Sequence, residues 1–132
     1  MINLQEAQQI IHAAQEKAIS FGQPMNIAVV CSGGHLVAFA RMDKAWLGSV
    51  DIAINKAWTA RAFDISTKEL SALAQPGDDF YGIAASNGGK VMIFAGGIPL
   101  KRGDQVVGAI GVSGGTGKQD QAVAEAGADA FK

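Results

Sequence analysis

Cysteine is almost absent from this chain. Cys31 is the only one in 132 residues, which excludes an internal disulfide framework and a cysteine-cluster zinc site. Histidine is nearly as scarce: His12 and His35 are the only two, and neither a His-x-x-x-His nor a His-Glu spacing suggests a metal cluster. No apolar run reaches the roughly 20 residues that a membrane-spanning helix needs. The first six residues, Met-Ile-Asn-Leu-Gln-Glu, lack the basic start and apolar core of a signal peptide, so the expectation is a cytoplasmic protein. Charge of one sign is missing too. The net charge of −1 does not provide the basic footprint of a general nucleic-acid binder.

Apolar residues are what the chain has in quantity. They make up 48% of it, against 17% charged. The length suits one domain over residues 1–132 with a core of its own. So high an apolar share predicts that other subunits cover part of the surface, and hence a homo-oligomer.

The local patterns predict the order α-β-β-α-α-β-β-α. Asn3 with Glu6 three residues on forms a variant capping box for a first helix over Leu4 to Phe21. Its buried stripe is Ala7, Ile10, Ile11, Ala14, Ala18 and Phe21, and Gly22 and Pro24 end it. Ile27 to Cys31 and His35 to Arg41 read as a hairpin around Gly33-Gly34. Both strands are apolar at nearly every position, which predicts a sheet covered on both faces. Ser49 is the expected cap of a second helix through Phe63, with Val50, Ala53, Ile54, Ala57 and Ala60 inward. A short helix follows over Thr67 to Ala74, then a loop from Asp78 to Lys90 with a turn at Asn87-Gly88-Gly89, and a short strand is placed at Val91 to Phe94. Two more strands flank the Arg102-Gly103-Asp104-Gln105 turn. A last helix from about Lys118 carries Ala122, Val123, Ala126 and Ala130 on one side. The fold class is therefore α/β of the α+β type, an antiparallel sheet of about five strands with helices on both faces.

Two phosphate motifs fail on fixed positions near the last helix. A P-loop needs a hydroxyl residue after Gly117-Lys118, where Gln119 stands, and a glycine where Val112 stands. A dinucleotide fingerprint starting at Gly115 has Asp120 in place of its third glycine. Ser113 to Gly117 is either an anion nest of free backbone N–H groups or a turn that merely needs its glycines. Asp120 favours the turn, because its own charge already complements the helix dipole. Gly108 and Gly111 interrupt an apolar strand, so a packed helix or a ligand must approach that backbone closely. Lys56 and Arg41 either belong to an ion-pair network at the hairpin end or together hold a carboxylate. Ser113 has no partner that spacing identifies, and Cys31 reads as an inert core residue.

These residues carry a resemblance. Gly33-Gly34, Arg41-Met42-Asp43, Ala53, Lys56-Ala57, Thr59-Ala60, Gly96-Gly97 with Pro99, the run Gly108 to Gly114, Asp120 and Ala124 together resemble the GlcG/HbpS-like family, which includes the C-terminal domain of PduO-type proteins. The likeness spans about Gln23 to Phe131. It departs at Cys31, where many relatives have an aspartate, and at Trp58, where they have a basic residue. It implies a profilin-like or PAS-like arrangement, assembly into dimers up to octamers, and non-covalent binding of haem or a related tetrapyrrole. It also implies either an accessory role in glycolate or diol and glycerol metabolism, or haem degradation. No nucleophile–base or metal constellation can be assembled from the residues, so a non-enzymatic binding protein is favoured. Under that reading His12, on the flank of the first helix, is the iron ligand at a subunit boundary. Met42 and Met92 are weaker thioether alternatives. Arg41, Lys56, Thr59, Gly96, Gly97, Ser113 and Gly114 complete the expected cofactor-binding set.

Overall fold

The computed structural model describes residues 1–131. Helix α1 runs over Leu4–Phe21, and its ends are as local chemistry dictates. The Asn3 side chain accepts from Glu6 N while Glu6 reaches back to Asn3 N, and Gly22 closes the helix in the left-handed region at φ 65°. Strands β1 (Asn26–Cys31) and β2 (Leu36–Arg41) form the first hairpin, with Gly34 at φ 78° in its turn. Helix α2 (Gly48–Phe63) and the short α3 (Thr67–Leu73) follow. The second hairpin is β3 (Gly97–Arg102) and β4 (Gln105–Ser113), and α4 (Gly117–Asp129) ends the fold behind a Thr116–Gln119 capping box.

All strand pairs are antiparallel, in the order β2-β1-β4-β3. Alternation along the two central strands divides the core in two. Ile27 and Val29 of β1, with Ile110 and Val112 of β4, pack against α1 and α4. Ala28, Val30 and Ala109 point the other way, onto Ala53, Ala57 and Ala60 of α2. The helices thus cover both faces, as the apolar strands require.

The small residues set how closely α2 lies. A side chain on Gly111 would strike the Ala53 carbonyl and the Ala57 backbone nitrogen. Of the two explanations for this strand glycine, the packed helix is the one realised.

Several expectations change. Among the described residues the sheet has four strands, not about five, because Val91 to Phe94 forms no strand. The Thr59 hydroxyl accepts from Met92 N at 3.0 Å and donates to the Lys90 carbonyl at 3.1 Å, so side-chain bonds replace a ladder there. Helix α2 starts at Gly48 without a side-chain cap, and Ser49 is buried inside it. Its inward face is more polar than the apolar stripe implies: Lys56 and Thr59 are buried while Val50 and Ile54 are only half covered. Phe21 is exposed at the end of α1. Helix α4 buries Asp120, Val123, Ala124 and Gly127 rather than Ala122, Ala126 and Ala130.

Candidate functional site

The registers align three polar side chains in one row at the end of the sheet. Arg41 of β2 pairs with Asn26 of β1, and Asn26 pairs with Ser113 of β4. Directly opposed residues share a face, so this row lies on the α2 side. Arg41 donates from Nε and Nη2 to the Ala45 carbonyl at 3.2 and 3.0 Å, and Asn26 Nδ2 donates to the Trp46 carbonyl at 2.9 Å. Two members of the row thereby pin the 45–47 loop, which carries Trp46. Asn26 Oδ1 is buried with no hydrogen-bond partner among the described residues.

Above this row α2 lowers Lys56, only 2% exposed. Its Nζ donates to the Val112 carbonyl at 2.8 Å and to Asp120 Oδ2 at 3.0 Å. Asp120 lies in the first turn of α4, on the opposite face of the sheet from α2, so the pair ties the two helical layers together around the strand end. Asp120 Oδ1 accepts from Gly115 N at 2.9 Å. The glycine loop does offer an inward N–H, and the protein's own carboxylate accepts it. Burial pushes the Lys56 ammonium below its ordinary value, with the Asp120 charge acting the other way. It pushes the Asp120 carboxyl above its ordinary value, opposed by Lys56 and the loop N–H groups.

The pair floors a cleft of about 430 Å³. Trp46, Ile52, Ile93 and Phe94 form the apolar walls, and Ser49, Ser71, Ser113, Gly114 and Gly115 add polar lining. The glycines expected at this site make room for the lysine. A side chain on Gly96, at φ 124°, would approach the Val112 carbonyl, the Asp120 Cβ and Lys56 Nζ, and one on Gly97 would strike the Lys56 carbonyl.

The expected site residues therefore separate. Lys56, Ser113 and Gly114 line the cleft, and Gly96 and Gly97 back it. Thr59 holds the 90–92 segment one turn along α2. Arg41 braces the loop bearing Trp46 through the Ala45 carbonyl, makes no ion pair among the described residues, and is not among the residues that line the cleft with Lys56. His12 lies on the other side of the sheet, on the outer flank of α1. Its imidazole is 75% exposed, with Nε2 at 3.8 Å from Glu16. Asp120, Ser49, Trp46 and Phe94 escaped sequence reasoning as site residues. Asp120 alone had a signal, an acid in the first helical turn after a glycine loop, and its dipole role accounted for it too readily.

No group of three or more potential metal ligands occurs among the described residues. No described helix is long and apolar enough to cross a membrane.

Fold and site define a small α+β protein: a four-stranded antiparallel sheet between helical layers, with an ion-paired cleft at the sheet end. A family model described as haem degrading protein HbpS-like matches residues 2–129, and the chain belongs to that family. It is 39% identical over 130 residues to an uncharacterized 15.0 kDa protein in the dhaT-dhaS intergenic region of Citrobacter freundii, covering 98% of this chain and 92% of that one. It is 38% identical to the corrinoid adenosyltransferase PduO of the same organism over 94% of this chain, but spans only 37% of PduO. Among solved structures it superposes on a PduOC:heme complex with a TM-score of 0.95, at 35% identity, covering 99% of this chain and 95% of that one.

The residues here offer haem groups of the right chemistry: the exposed imidazoles of His12 and His35, and the half-buried thioethers of Met42 and Met92. The cleft does not: its lining holds no histidine, cysteine, methionine or tyrosine.

Proposed function

We propose that this protein is a non-enzymatic haem-binding accessory protein, with His12 as the iron ligand and the haem lying against the outer flank of α1. The exposed imidazole of His12 carries this reading. A structure this similar with haem bound supports it. When bound, haem would supply an iron centre that an imidazole nitrogen can ligate. His12 would hold the iron through a ring nitrogen, and its side chain is 75% exposed with Nε2 at 3.8 Å from Glu16. One helix flank covers only one side of a porphyrin, so a second copy of the chain closes over the other. Among the described residues His35 is the other imidazole, and the β1–β2 turn holds its backbone by the bond from Cys31 N to its carbonyl at 2.9 Å. The pathway is of the glycolate or diol and glycerol type that the family resemblance implies.

Haem titration followed by absorption spectroscopy tests the assignment. His12→Ala should abolish the shift of the main haem band and weaken binding at least tenfold, with the solution mass unchanged and His35→Ala behaving as wild type. An unchanged spectrum and affinity in His12→Ala would remove His12 from the site. The family's description favours a second reading, haem degradation. Adding a reductant to the haem complex separates the two: a stable spectrum supports the accessory role, and steady loss of the haem band supports the enzyme.

A further inference from the structure

The cleft at the sheet end has a chemistry of its own, and the sheet separates it from the His12 flank. We infer that it is a second binding site, one for a small uncharged molecule with an alcohol or carbonyl oxygen on a short apolar or aromatic body.

The ligand's charge follows from the floor. Among the described residues Lys56 and Asp120 are the only charged ones that line the cleft, and they neutralise each other at 3.0 Å. An anionic ligand would meet the Asp120 carboxylate beside the ammonium. It would also find the Gly115 N–H of the glycine loop already bonded to Asp120 Oδ1. A cationic ligand would meet Lys56. Burying either uncompensated charge is costly, so the cleft selects against both.

Hydrogen-bonding capacity remains, and it matches an uncharged oxygen. Lys56 Nζ has three N–H groups, two of them used on Val112 and Asp120. Ser49 and Ser113 are 4% and 5% exposed and both line the cleft, and neither hydroxyl oxygen is a fully buried atom left without a partner, as Asn26 Oδ1 is. A lysine N–H beyond the two in use and two hydroxyls therefore line one cleft, a set of donors and acceptors that suits a ligand oxygen. The walls of Trp46, Ile52, Ile93 and Phe94 suit a carbon body or a ring. A volume of about 430 Å³ lies within the range of small-molecule sites. The Arg41 and Asn26 bonds fix the backbone at Ala45 and Trp46 beside the cleft.

Saturation-transfer NMR on haem-free protein tests this with four probes of one shape: benzyl alcohol, benzamide, benzoate and benzylamine. Benzyl alcohol and benzamide should receive saturation, with benzoate and benzylamine several-fold weaker. Backbone amide shifts induced by benzamide should cluster at Ser49, Phe94 and Ser113 to Gly115. Ser113→Ala, checked for an unchanged melting temperature, should weaken benzamide about fivefold, as expected for one lost hydrogen bond. The inference is overturned if benzoate or benzylamine binds as well as benzamide, if the shifts map elsewhere, or if no probe binds at millimolar concentration. None of these outcomes bears on haem binding at His12.

Discussion

Replacing Lys56 by methionine isolates what the buried ion pair does. The substitution keeps the length and apolar stem of the side chain and removes the ammonium. Asp120 then loses the donor to Oδ2, keeps the Gly115 N–H on Oδ1, and stays buried without a compensating charge. The Val112 carbonyl loses its donor as well. Breaking a buried pair from one side costs about 3–5 kcal/mol. For a chain of this length that lowers the melting temperature by about 10–20 °C. Removing both charges, as Lys56→Met with Asp120→Leu, leaves only the Val112 carbonyl and the Gly115 N–H to re-solvate. The double variant should therefore recover at least about 2 kcal/mol of the summed single losses. Urea unfolding of wild type, both single variants and the double at pH 7 and one fixed protein concentration measures the cycle, since any assembly makes stability concentration-dependent. A Lys56→Met cost below about 1 kcal/mol, or strictly additive singles, would refute the claim that the two charges depend on each other in a dry site.

Four further outcomes follow from the same geometry. Asp120 is held above its ordinary 3.8 and so binds its proton more readily in the folded state; measured against Asp120→Asn, wild-type stability should fall as pH rises from 3.8 through the raised folded value. Lys56 is held below its ordinary 10.5, so against Lys56→Met wild-type stability should rise between the lowered folded value and pH 10.5, and urea midpoints across pH 4–10.5 check both slopes. Gly111→Ala forces a methyl into the Ala53 carbonyl and the Ala57 nitrogen, and should cost about 1–3 kcal/mol or more by urea unfolding as α2 is pushed off the sheet. Thr59→Val leaves Met92 N and the Lys90 carbonyl without partners, and should cost about 1–3 kcal/mol with faster amide exchange at Met92.

What the sequence determined by itself is local in its physics. The Asn3–Glu6 capping box, the Gly22 stop, the turns at Gly33-Gly34 and Gly103, and the two-sided apolar strands all act over a few residues. Their chemistry suffices to place four helices, two hairpins and a sheet covered on both faces. Tertiary structure decided the rest, because its determinants are remote in the chain. No local pattern could announce that the Thr59 hydroxyl captures the backbone at Lys90 and Met92 and so removes a fifth strand. Lys56 and Asp120 are 64 residues apart and rise from helices on opposite faces. Antiparallel register alone puts Arg41, Asn26 and Ser113 in one row. Asp120 read as a helix-dipole residue is correct for α4 in isolation. Only the close approach of α2, permitted by Gly111 and the alanines facing it, turns that same carboxylate into the buried partner of a lysine.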